Sequence, residues 1–198
     1  MPEAEELLAI GQLAVEEAES KGASEAEAYL VASEVAEVIF TEEVEGLRTS
    51  VRTGLGLRAV VGKKVALAST SRLDRASISE VAGRAVGIAR ASEPDEHWSS
   101  LPGEYGRSQV EGLFDRRTAA LEPEDLVGAV EETMMAIEEA GRGRPVAPSR
   151  GLLRAGVVTV AICNSRGQEA HRTSTFAYVW VRASAEEGGR KATANEDA

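Results

Sequence analysis

The 198-residue chain carries 33 acidic against 22 basic side chains, a formal net charge of −11, and is 43% hydrophobic but only 4% aromatic. Its length allows one large core or two small ones built on Ala, Val, Leu and Ile. The acidic mean field repels polyanions, so direct nucleic-acid binding is not expected, and no apolar run approaches the ~20 residues of a membrane span. The N-terminus, MPEAEELLAIGQ, is acidic where a secretory leader is basic, and the lone Cys163 can close no intrachain disulfide. Both point to the cytoplasm.

The first predicted element is a helix from Glu3 to Ser20, with Leu7, Leu8, Gly11, Ala14, Val15 and Ala18 in one apolar stripe. Gly22 follows as the left-handed stop. The period then changes to that of strands, over Tyr29 to Phe40 and Val44 to Arg52. In the next strand Leu55, Leu57, Ala59 and Val61 alternate with Gly56, Arg58 and Val60. Gly62 supplies a tight hairpin, and Val65 to Ser71 returns, an antiparallel meander. A second helix spans Asp74 to Ala91 on the stripe Ile78, Val81, Ala82, Ala85, Ile88 and Ala89, capped by Asp74 or Ser71.

Ser92 to Ala120 is turn-rich, and irregular connections of that length inside a domain are usually functional or mobile. Pro123 opens a third helix that runs to Ala140, burying Leu126, Ala129, Val130, Thr133, Met134 and Ile137, and a loop from Gly141 to Pro148 ends it. Strands follow over Leu152 to Ala155 and Val157 to Cys163, then the turn Asn164-Ser165-Arg166-Gly167. The return begins at Gln168, and Thr173 to Ala185 alternates, with Phe176, Tyr178 and Trp180 on one face and Ala177, Val179 and Val181 on the other. The aromatic face is either a core face or a partner contact. Glu186 to Ala198 loses the pattern and reads as a frayed tail.

Few groups here could do chemistry. His97 and His171 have no second His within helical ligand spacing, and Cys163 has no Cys partner, so no metal ligands are assigned. Ser69, Thr70 and Ser71 precede a helix but lie in no G-x-S-x-G elbow; they are expected to satisfy that helix N-terminus, and no catalytic residue is assigned. Gly54-x-Gly56 lacks the third glycine of a dinucleotide fingerprint and opens a strand. Basic residues cluster at Arg48, Arg52, Arg58, Lys63 and Lys64, as a solvated face or a contact surface.

Several of these pieces, in this order and spacing, resemble the N-terminal half of the PmbA/TldD family, often labelled modulators of DNA gyrase and regarded as zinc metallopeptidases. They are Gly22-Ala23-Ser24-Glu25-Ala26-Glu27-Ala28, Gly54-Leu55-Gly56-Leu57-Arg58, Ala68-Ser69-Thr70-Ser71, Ile88-Ala89-Arg90-Ala91-Ser92-Glu93-Pro94-Asp95 and the Asn164 to Gly167 turn. The Ser-Thr-Ser, Pro-Asp and Asn-Ser elements are closer to the PmbA (TldE) branch. The resemblance implies an α+β fold, a largely antiparallel sheet with three main helices, over residues 1–189. That region divides into a helix-meander-helix part (1–92), the irregular connection (93–121) and a helix with C-terminal strands (122–189). Residues 190–198 are expected to be a disordered tail, and the family's C-terminal domain to be absent.

In the TldD branch zinc is held by an H-E-x-x-x-H element that follows the region seen here. The resemblance therefore implies a part that binds no cofactor itself, with zinc in a histidine-motif partner. It implies a homo- or hetero-oligomer with a PmbA/TldD-family subunit, acting on a peptide or unfolded protein. Arg48, Arg52, Arg58, Phe176, Tyr178 and Trp180 are the candidate peptide- or partner-contacting residues. A stand-alone adaptor and a fragment of a longer gene remain alternative readings.

Overall fold

The computed structural model describes residues 1–106, 109–143 and 145–198. The expected connection 93–121 and the loop Gly141 to Pro148 therefore lie partly outside the described residues, at 107, 108 and 144. The elements are α1 (Ala4–Ser20), β1 (Glu25–Phe40), β2 (Val44–Val61), β3 (Lys64–Thr70), α2 (Arg75–Ala91), α3 (Arg116–Ala119), α4 (Pro123–Ala140), β4 (Val146–Asn164), β5 (Glu169–Glu187) and β6 (Arg190–Asp197). The strands form one antiparallel sheet in the order β3-β2-β1-β4-β5-β6. The fold is α+β, as expected. No described helix is long and apolar enough to cross a membrane.

Two compact units divide the chain, and the long strands contribute to both. The first comprises Met1–Ser33, Val51–Glu111 and Val158–Thr173. Here α1 and α2 cover Ala26, Ala28, Leu30 and Ala32 of β1, Leu55, Leu57 and Ala59 of β2, and Ala161 and Cys163 of β4. The many alanines let helix and sheet backbones approach closely. Gly11 marks one such place, since a Cβ there would fall 2.8 Å from both Cys163 Sγ and Leu30 Cδ1. Helix α1 stops at Gly22, at φ 98°, with Ala23 N–H donating to Ala18 O at 3.0 Å. On α2 the buried stripe contains Val86, while Ile88 is exposed, because ten residues on from Ile78 the helix has rotated away from the sheet.

Asp74 caps α2, accepting from Ser77 N–H at 3.0 Å and Ser77 Oγ–H at 2.8 Å. Ser69, Thr70 and Ser71 do not cap it, contrary to expectation: Thr70 Oγ1 instead accepts from Arg72 N–H at 3.1 Å. The Ser77 amide, then the Ser77 hydroxyl, hold the Asp74 carboxyl below its ordinary 3.8. A depressed folded pKa stabilises the native state above the ordinary value, and that contribution is lost as pH falls through the folded value. Asp74→Ala is accordingly expected to lower the urea midpoint at neutral pH, with the gap from wild type closing as pH is taken below 3.8. A gap independent of pH would rule out the charged cap.

The second unit comprises Glu34–Ser50, Gly112–Val157 and Ser174–Ala198. Leu126 and Val130 of α4 pack on Val38, Phe40 and Ala155, flanked by Ala36, Val127, Met134, Leu153 and Val181. Pro123 opens α4, where its missing N–H removes no helical bond, and Asp125 accepts from Glu122 N–H at 2.8 Å. Asp115 caps the short α3, which the sequence reading did not contain, by accepting from Thr118 N–H at 2.8 Å.

Residues 190–197 correct the expected disordered tail. Gly188 and Gly189 take φ 58° and 75°, the two positive values a tight two-residue hairpin requires, and turn the chain back onto β5. The register runs from Glu187↔Arg190 to Trp180↔Asp197. Ladder hydrogen bonds need no apolar side chain, so this polar strand carries no hydrophobic signature.

Candidate functional site

In the first unit the sheet face turned away from α1 and α2 carries polar groups that alternate with the core residues. Arg58 Nη1 donates to Glu27 Oε1 at 2.8 Å, and Tyr105 O–H donates to Glu27 Oε2 at 3.0 Å. Burial first, then the Glu27 carboxylate, push the Tyr105 phenol well above its ordinary value, so it stays a neutral donor. Glu25 accepts from Trp98 Nε1–H and from Leu101 N–H, each at 3.2 Å. Arg166 donates to Ser100 Oγ and Leu101 O, both at 2.8 Å, and Asn164 Nδ2 to Pro102 O at 2.9 Å. Residues 98–105, expected only as an irregular connection, are thus pinned to the sheet by its own charged and amide side chains.

A cleft of about 660 Å³ lies at the open end of β3, lined by Tyr29, Gly54, Gly56, Ser69, Thr70, Ser71, Ser77, Glu80 and Arg84 among others. Gly54 and Gly56 leave bare backbone there. Arg84 donates to Ser69 O. No imidazole lines the cleft, so its hydroxyls have no histidine base; it can offer hydrogen bonds and shape.

The zinc implied by the family resemblance does not fit these residues. Among the described residues, no three His, Cys, Asp or Glu side chains are grouped so as to hold a metal ion. His97 and His171 are exposed, while Cys163 is buried, and desolvation, then Glu169 and Glu27, push its thiol up to about 11. A zinc ligand must be the thiolate, which this environment opposes.

The basic cluster is largely committed within the chain. In the second unit Arg48 Nη2 and Arg154 Nε approach Glu37 at 2.6 and 2.9 Å, so one buried carboxylate sits between two guanidiniums. In the first, Arg58 pairs with Glu27 as above. Lys63 Nζ donates to Glu96 O at 3.2 Å, and Lys64 Nζ to Arg90 O at 3.1 Å. Arg52 is exposed. Glu27 and Glu37 were the residues that sequence reasoning missed; the only signal was acidic positions in an otherwise apolar strand.

Phe176, Tyr178 and Trp180 belong to neither buried core. Phe176 and Trp180 are half-buried, Tyr178 is 36% exposed, and Arg182 lies over the Trp180 ring at 5.5 Å. Beside α4 an apolar hollow of about 320 Å³ is lined by Leu121, Leu126, Ala129, Leu153, Ala155 and Val179 among others.

Comparison with known proteins follows these features. Residues 26–89, from β1 to α2, match a family model described as PmbA/TldA metallopeptidase domain 1. No curated protein matches the chain. Solved structures do. TldE from Thermococcus kodakarensis is 18% identical with a TM-score of 0.83, over 95% of this chain and 42% of that one. A candidate modulator of DNA gyrase from Bacteroides thetaiotaomicron is 22% identical with a TM-score of 0.79, over 96% and 44%. A candidate modulator of a DNA gyrase from Thermotoga maritima is 12% identical with a TM-score of 0.62, over 96% and 42%. At these identities the likeness carries the fold, and the chain spans about two fifths of each structure it matches.

Proposed function

We propose that the chain is a PmbA/TldD-type protein, a non-catalytic part of a metallopeptidase system acting on peptides or unfolded segments, on the strength of its match to that family's first domain. In this reading a histidine-motif family subunit holds the zinc, and this chain shapes the chamber and holds the peptide or the partner. The observation that carries it is the first-domain match at 26–89 in a chain whose His97, His171 and Cys163 form no ligand set. The sheet's terminal strands support it further, since a free edge can take up an extended segment through main-chain bonds, whatever its sequence. Zinc, when bound by the partner, would supply the activated water; the residues here would only position and shield.

Mixing the purified chain with a histidine-motif family subunit from the same source should give co-elution on size exclusion, and peptide cleavage only in the mixture. Independent elution at micromolar concentration would count against the subunit role. One tightly held zinc per isolated chain would overturn the non-catalytic assignment.

A further inference from the structure

Strand β6 closes the sheet order at one end, and all eight of its residues are exposed. Val179 and Ala198 exchange both main-chain bonds, at 3.0 Å each, which fixes which side of the strand is satisfied. Following the register back to the hairpin, Arg190, Ala192, Ala194 and Glu196 bond toward β5. The main-chain groups of Lys191, Thr193, Asn195 and Asp197 point the other way, off the edge of the sheet.

Exposed edges are ordinarily guarded by proline, a bulge or a charge in mid-strand. Here the middle of β6, Ala192 to Asn195, is small and uncharged, and the charges stand at its ends: Arg190 and Lys191 first, Glu196 and Asp197 last. That distribution is self-complementary. A second copy laid parallel would set like charges side by side. Laid antiparallel, it sets the basic end of each strand against the acidic end of the other.

Hydrogen-bond parity narrows this further. Directly opposite residues must both bond across the new interface or both bond inward, so odd positions face odd and even face even. With the two-fold at Ala194, Lys191 lies opposite Asp197 of the second copy, and Arg190 sits diagonally from Glu196. With the two-fold at Thr193, Arg190 lies opposite Glu196 and Lys191 is diagonal to Asp197. Both registers join the same charges, within cross-strand reach.

We propose that β6 is a self-pairing edge, through which two copies of this chain join antiparallel about a two-fold axis into one continuous sheet. The proposal does not rest on the peptidase reading. Sedimentation velocity over a concentration series should show wild type approaching twice the 20.9 kDa chain mass, more weakly at high salt. The variants R190E/K191E and E196K/D197K should each be monomeric alone, and their equimolar mixture should dimerise at least about tenfold more tightly than either. T193P removes an outward N–H without breaking a bond to β5; it should abolish the dimer while far-UV circular dichroism stays unchanged. A wild type that stays monomeric, a dimer untouched by both charge variants, or a mixture that stays monomeric would each overturn it. The measurement uses this chain alone, so its failure leaves the partner experiment above standing, and the reverse holds too.

Discussion

Replacing Phe40 by alanine is expected to lower the unfolding free energy by about 3–5 kcal/mol, near the upper end for a core truncation. Phe40 is fully buried at the end of β1 and packs with Val38, Leu126, Val130 and Ala155. The site has a second property that raises the penalty. A Cβ at Gly151 would run into the Phe40 ring, so the ring occupies the space a side chain would otherwise take. Removing it leaves a hollow beside a glycine, which has no side chain of its own to fill it. Urea melts of wild type and F40A, compared at equal m-value, measure the loss; a loss below about 1 kcal/mol would mean the ring is not at the centre of that core. Gly151→Ala should itself be destabilising in wild type and much less so in the Phe40→Ala background, a non-additivity confined to contacting pairs.

Gly156→Ala in β4 is expected to destabilise by about 2–3 kcal/mol. The added methyl would overlap the Glu34 carbonyl oxygen and crowd the Val35 Cα, and these are backbone atoms that no rotamer change can move aside. Gly128→Ala is the control: it lies inside α4 with nothing within 4 Å of its Cβ position, so it should stabilise by about 0.5–1 kcal/mol. Thermal unfolding of both, side by side, reads the contrast. Equal effects of the same sign would show that the glycine, not its surroundings, sets the outcome.

The helices were legible because their information is local. Apolar residues three and four apart, Asp74 before α2 and Pro123 at the head of α4 placed their ends to within a residue. The strands were legible in kind but not in extent. The sequence reading broke β4 at Gly156, whereas the strand continues through it, because the glycine answers a close backbone approach from β1 and ends nothing. β6 was lost for a related reason, since main-chain pairing leaves no apolar period. The four residues of α3 are too few to show a period at all.

The candidate site was less legible than the fold. Arg58 and Arg48 read as part of a basic cluster, a solvated face or a contact surface, yet their carboxylate partners, Glu27 and Glu37, lie on β1, where cross-strand register decides the pairing. Register is a property of the assembled sheet. The same holds for Glu25, which gathers Trp98 and Leu101 from far along the chain.

The strand order has a kinetic consequence. The meanders β1-β2-β3 and β4-β5-β6 are each built from neighbours in sequence, and among the described residues the sheet joins them where β1 pairs with β4. That seam ties Ala26 to Ser165, 139 residues apart, through Ala26 N–H to Ser165 Oγ at 3.0 Å and Ser165 N–H to Ala26 O at 2.8 Å. Closing so long a loop loses chain entropy before any contact compensates for it. During synthesis the first meander must therefore wait, with one side of β1 unpaired, until β4 has left the ribosome.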